Sequence, residues 1–197
     1  MTSRNLSVTR ELPEPEVVRE AARVLAWDGV LLYPSDTVYG LACSADSVCA
    51  ISRIAALKGS RGRRPYIVLV PGCEEALRFC PDAPEAAIEL MGSGWPGALT
   101  LVLQAGDDAP REAMAEDGTL ALRVPGDPLS RAILEEIGKP LVSTSANLTG
   151  KPPFVDPSRI PASISAGVDL FISAGILPKV GPSRILRITE DGIKQLR

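Results

Sequence analysis

The chain has 197 residues, 45% of them apolar, a formal net charge of -3 and no histidine. That is enough for one substantial core, and the charge gives no general attraction to polyanions, so any RNA contact must be local. Without histidine, Ser/His and Cys/His nucleophile pairs, imidazole acid–base chemistry and the usual zinc enzymes are excluded, which leaves chemistry driven by positioning and charge.

Apolar runs such as residues 66–70 and 98–103 are far shorter than the roughly 20 residues of a membrane-spanning helix. The first residues, MTSRNLSVTRELPEPE, carry charge but no apolar core before a cleavage site, so a cytoplasmic chain with no membrane association is expected. The four cysteines, Cys43, Cys49, Cys73 and Cys80, have neither zinc-site spacing nor the density of a disulfide scaffold, and buried free thiols are expected.

In chain order, Val17, Val18, Ala21, Ala22, Val24 and Leu25 recur at helical spacing, with Asp28-Gly29 as a stop. Residues 30–33 and 38–43 read as strands flanking the polar link Ser35-Asp36-Thr37. A second helix starts near Ser47, a suitable N-cap, and delivers Lys58 to a loop. Residues 66–70 read as a strand, and 73–79 and 84–91 as helices broken at Pro81. Strands follow at 98–104 and 120–124, then a helix at 128–137 closed by Gly138, and a strand at 141–144. STSANLTGKPPF is read as loop, 156–165 as one helix and 169–173 as a strand. Residues 183–188 and 193–196 form a closing hairpin around Asp191-Gly192. Several neighbouring strands are too close in sequence for helical crossovers, which predicts an α/β domain with a mixed, twisted sheet.

Four polar clusters fall at strand or helix ends, where α/β folds build ligand sites. In YPSDTVYG, Ser35 and Thr37 present hydroxyls suited to a small polar ligand, or simply cap a turn. LKGSRGRRP gathers Lys58, Arg61, Arg63 and Arg64, which fit carboxylate or phosphate, a solvated basic loop or an RNA contact. Arg123 ends the apolar strand in TLALRVPGDP and needs a counter-charge, from a protein carboxylate or an anionic ligand. LVSTSANLTGKPP sets Ser143, Thr144, Ser145 and Asn147 directly after a strand, able to donate to phosphate oxygens and ribose. Neither GxxxxGK[ST] nor GxGxxG occurs, so a nucleotide would have to be held differently.

YPSDTVYGLACSAD, ALKGSRGRRP, WPGALTLVL, LALRVPGDP and LVSTSANLTGKPP together occur in the order and approximate spacing of the YrdC-like family, and the chain resembles it over residues 14–197, with 1–13 as an N-terminal extension. The resemblance implies a single-domain mixed α/β fold with flanking helices and a concave, basic cavity. It also implies conversion of L-threonine, bicarbonate and ATP, accompanied by Mg²⁺, to L-threonylcarbamoyladenylate and pyrophosphate. A downstream tRNA threonylcarbamoyltransferase complex would pass the group to an adenosine of tRNAs reading codons that start with A, with direct tRNA contact left open. Carried over by motif, Lys58, Arg61 and Arg123 would be catalytic. Ser35, Thr37, Arg123, Ser143 and Ser183 would hold threonine, and Lys58, Arg61, Arg64, Thr119, Ser145, Asn147 and Arg197 would hold ATP.

Three positions depart from the family pattern. Ser35 replaces threonine, Ser60 stands at the arginine of the KxR motif with Arg61 one place later, and Arg184 follows Ser183 where the motif has threonine. Rival readings are a carbamoyl-handling enzyme of the same architecture and a noncatalytic RNA-binding module.

Overall fold

The structure is a computed structural model that describes residues 4–60, 65–179, 181, 183–190 and 192–197. Arg61, Arg63, Arg64 and Asp191 therefore lie outside the described residues. The strands are β1 (Arg4–Ser7), β2 (Leu31–Pro34), β3 (Tyr39–Ser44), β4 (Ile67–Leu69), β5 (Leu99–Gln104), β6 (Thr119–Arg123), β7 (Leu141–Ser145), β8 (Leu170–Ser173), β9 (Arg184–Thr189) and β10 (Gly192–Gln195). The helices are α1 (Pro15–Ala26), α2 (Val48–Leu57), α3 (Cys73–Phe79), α4 (Glu85–Gly94), α5 (Pro128–Ile137) and α6 (Ala162–Ser165).

Among the described residues these strands form one sheet in the order β1-β8-β2-β3-β7-β4-β6-β5-β9-β10. It is mixed, as expected: β2 pairs antiparallel with β3, β3 with β7 and β7 with β4, while β4 is parallel to β6 and β5 to β9. Alternation along each strand sends successive side chains to opposite faces. One face, with Leu41, Val68, Leu101, Leu103, Leu120, Leu122 and Val142, packs with residues of α2, α3 and α4. On the other face, α1 and α5 cover Leu31, Tyr33, Ala42, Leu69, Leu141 and Leu170. That second core takes no residue from β5, β6 or β9, so its helices shield only part of the sheet.

The local reasons for α5 are in its sequence. Asp127 caps it by accepting from Ser130 N at 2.8 Å, Pro128 fits the first turn, and Gly138 ends it at φ 63°, a left-handed conformation that other residues rarely adopt. Ser47 caps α2 in the same way, accepting from Ala50 N at 3.1 Å. No helix among the described residues is long and apolar enough to cross a membrane.

The structure differs from the sequence reading in three places. β1, within the stretch read as an extension, joins the sheet beside β8. It carries one half-buried apolar residue, Leu6, too little to make a pattern. The single helix expected over 156–165 is instead a 3₁₀ turn, Pro157–Arg159, followed by the short α6. Pro161 separates them, because it has no N–H and forces Ile160 to be extended. Only Cys43 and Cys80 of the four cysteines are buried; Cys49 is exposed on α2 and Cys73 half-buried at the start of α3.

Candidate functional site

The uncovered part of the second sheet face is the floor of a cavity of about 390 Å³, within the range of small-molecule sites. Alternate residues of the central strands supply it: Ile67 of β4, Arg123 of β6, Ser143 and Ser145 of β7, with Leu69 at the edge of the helix-covered core. The β2–β3 link adds Ser35, Asp36 and Thr37, the segment after β7 adds Asn147 and Lys151, and the C-terminal hairpin adds Ser183 and Arg197. Among the described lining residues the cations are Arg123, Lys151 and Arg197 and the carboxylates Asp36 and Asp127.

Arg123 is 7% exposed, and its counter-charge is a protein carboxylate. Its Nη2 donates to Asp36 Oδ2 in a buried ion pair, and its Nε donates to Gly97 O at 2.9 Å. Asp36 Oδ1 accepts from Asp127 N at 2.6 Å, so this one carboxylate ties the β2–β3 link to the end of β6 and the start of α5. Arg10 strengthens the corner by donating to Ser35 O at 3.2 Å. Ser35 donates its hydroxyl to Val38 O at 2.7 Å and leaves its oxygen able to accept; Thr37 is buried beside it.

Lys58 sits behind the wall of the cavity. Its ammonium donates to the carbonyls of Ser145 and Asn147, the latter at 2.9 Å, and its own carbonyl accepts from Thr149 N at 2.9 Å. Ser60, at the displaced motif position, shares a 2.8 Å hydrogen bond with Thr149 Oγ1. The end of α2 is thus stitched to the segment after β7. Asn147 donates its amide to Leu148 O and Lys151 O, while its Oδ1 is buried with no hydrogen-bond partner among the described residues. Arg197 grips Ser183 through Oγ at 2.9 Å and the carbonyl at 3.2 Å.

Of the residues singled out from sequence, Ser35, Thr37, Arg123, Ser143, Ser145, Asn147, Ser183 and Arg197 come together around one cavity. Thr119 lies at the opposite end of β6 from Arg123, outside the lining, with its hydroxyl donated to Asp117 Oδ1 at 2.7 Å. Arg61 and Arg64 fall outside the described residues. Sequence reasoning passed over Asp36, although Arg123's need for a counter-charge pointed to a carboxylate. It also passed over Tyr33, read only as the end of a strand, and over Asp127 and Ser130. Tyr33 fits because Gly40 opposite it has no side chain: a Cβ there would come within 3.2 Å of the ring.

A family model for the Sua5, YciO and YrdC proteins, described as telomere recombination, matches residues 23–197. The chain belongs to this family. It is 37% identical over 140 residues to the threonylcarbamoyl-AMP synthase of Klebsiella pneumoniae, a match covering 70% of this chain and 74% of the relative. It is 38% identical over 151 residues to the threonylcarbamoyl-AMP synthase of Bacillus subtilis, covering 75% of this chain and 43%, less than half, of that longer relative. The fold matches P. abyssi Sua5 complexed with L-threonine with a TM-score of 0.88 at 28% identity, over 98% of this chain and 56% of the other.

Proposed function

We propose that the protein makes L-threonylcarbamoyladenylate from L-threonine, bicarbonate and ATP and releases pyrophosphate, in the cytoplasm, as the first step of threonylcarbamoylation of tRNA. The observation that carries this reading is the convergence of Ser35, Thr37, Arg123, Ser143, Ser145, Asn147, Ser183 and Arg197 on one cavity in a member of the family. The named synthases among its relatives and the threonine complex of Sua5 support the substrate choice.

Both reacting partners are anionic, since the carbamate of threonine attacks the α-phosphorus of a triphosphate. Cations and fixed donors that hold them together and absorb charge as pyrophosphate leaves would supply most of the acceleration. Arg123, pinned by Asp36 and Gly97, has a fixed orientation from which its guanidinium can meet the threonine carboxylate or its carbamate. The vacant acceptor of Asn147 and the hydroxyls of Ser143 and Ser145 suit ribose and phosphate, and Lys58 holds that segment in shape. Arg197, braced on Ser183, can approach a phosphate.

Among the described residues no group of three or more His, Cys, Asp or Glu could hold a metal ion. Mg²⁺ would therefore come with the triphosphate, held by phosphate oxygens and water, and would lower the charge of the leaving pyrophosphate. The product would pass to a tRNA threonylcarbamoyltransferase complex. Purified protein with ATP, Mg²⁺ and bicarbonate should release pyrophosphate only when L-threonine is added, with the adenylate detected by mass. Folded protein that releases none would sink the reading.

A further inference from the structure

Threonine enters as an ammonium, and carbamate formation must shed one proton: RNH₃⁺ + HCO₃⁻ gives RNHCOO⁻ + H₂O + H⁺. The chain has no histidine to take that proton, and the lining's arginines and lysine are already charged. Two side-chain carboxylates remain among the described lining residues. Asp36 is engaged on both oxygens by Arg123, Gly126 N and Asp127 N. Asp127 is 6% exposed, and while its Oδ1 caps α5, its Oδ2 is buried with no hydrogen bond of ordinary geometry among the described residues.

A line of hydroxyls leads from the cavity to that vacant oxygen. Ser143 faces the cavity, and its Oγ lies 3.0 Å from Tyr33 OH. Ser130 Oγ is also buried; among the described residues it makes no hydrogen bond of ordinary geometry, but it lies within reach of both Tyr33 and Asp127 and lowers the proton affinity of each. A buried carboxylate oxygen and a buried hydroxyl in one wall of a site, neither with a hydrogen bond of ordinary geometry among the described residues, are unusual in a folded protein.

We propose that Ser143, Tyr33, Ser130 and Asp127 form a proton relay, in which Asp127 is the acceptor for the proton lost from the amino group of the amino-acid substrate. This rests on the synthase reading. The amine passes a proton to Ser143 Oγ as that hydroxyl gives its own to Tyr33. Tyr33 gives one to Ser130 and Ser130 one to Asp127 Oδ2, so the hydroxyls end neutral and Asp127 ends as a carboxylic acid that later returns its proton to solvent. In balance, RNH₃⁺ + HCO₃⁻ + Asp127 carboxylate gives RNHCOO⁻ + H₂O + Asp127 carboxylic acid.

The titratable and charged groups around Asp127 are Arg10, Asp36, Tyr33 and Arg123. Burial raises the Asp127 carboxyl above its ordinary range against the pull of the Ser130 backbone and hydroxyl and of Arg10 and Arg123, which makes it a better base than an exposed aspartate. Burial likewise pushes Tyr33 up to about 12, so it stays a neutral hydroxyl that can accept and donate together.

The test compares wild type, Asp127→Asn and Tyr33→Phe by threonine-dependent pyrophosphate release across pH, with folding checked by thermal unfolding. Asparagine caps helices as well as aspartate, and phenylalanine keeps the buried ring. Each variant should lose on the order of 100-fold in kcat at about pH 7 with KM for threonine within about threefold of wild type. The deficit should shrink toward about pH 9, where solvent deprotonates the amine. Near-normal kcat in either variant overturns the relay, as does an equal deficit at every pH, or a raised KM with kcat kept, which would make Asp127 a binding group. Wild type without threonine-dependent release would instead sink the synthase reading on which the relay rests.

Discussion

Leu141 and Ser143 lie two residues apart on β7 and face the same side of the sheet, yet one is core and the other lines the cavity. The difference is what lies above them. Leu141 is packed in the core with residues of α1 and α5, whereas Ser143, whose neighbours across the strands are Ala42 and Ile67, faces the cavity. The same division runs along the face, with Leu31 and Leu170 under helices and Arg123 beyond them. One sheet face is thus both hydrophobic core and binding floor, and the boundary is set by where two helices end. A ligand bound there rests on strands whose other side is packed, which suits a reaction that depends on orientation.

The sharpest way to test that division is to mutate both sides of it. Leu141→Ala removes buried methyls and should cost about 2–5 kcal/mol of unfolding free energy in chemical denaturation, with turnover per folded molecule preserved. Arg123→Ala and Lys58→Ala should, unlike Leu141→Ala, lower turnover per folded molecule, each reducing kcat/KM in steady-state kinetics by the equivalent of about 2–4 kcal/mol, and should also cost stability by leaving buried polar groups unpaired. Arg123→Lys should recover only part of this, because a lysine keeps the charge but not the fork that spans Asp36 and Gly97. Near-normal turnover in both alanine variants would mean that the open half is not the reaction site.

Smaller effects sharpen the boundary. Ser60→Ala removes the hydroxyl bond to Thr149 and should cost about 0.5–1.5 kcal/mol, with a rise in KM for ATP if that stitch shapes the segment after β7. Asp127→Asn is expected to act on stability with the opposite sign. The folded-state carboxyl is raised by burial, so the native protein binds more protons than the unfolded chain once pH exceeds the ordinary aspartate value, and ionised Asp127 is a liability there. The variant should therefore melt slightly higher than wild type near neutral pH, and the advantage should vanish below about pH 4, where both states are protonated. A melting point lowered equally at all pH values would show that the carboxylate contributes structure instead.

Much of this was legible in the residues. Helices with clear stops, such as Pro128–Ile137 closed by Gly138, are local objects, and their ends follow from nearby residues. The polar clusters were legible because hydroxyls, amides and charges at strand ends break an apolar pattern. β1 was not, since its place comes from pairing with β8 and not from its own side chains. Asp36 was visible as a letter in YPSDT, but its role was not, because its partner Arg123 lies 87 residues away in the chain.

The sequence by itself determined the α/β class, the helix ends and the set of polar groups available for chemistry, because propensity, capping and alternation act within a few residues. Only the tertiary structure decided which of those groups share a cavity and which merely hold it up. Strand order brings β2, β7, β4 and β6 side by side, and helix coverage then separates core from site. Those contacts join residues far apart in the chain, and a buried pair or a vacant buried oxygen exists only once the surrounding elements have excluded water.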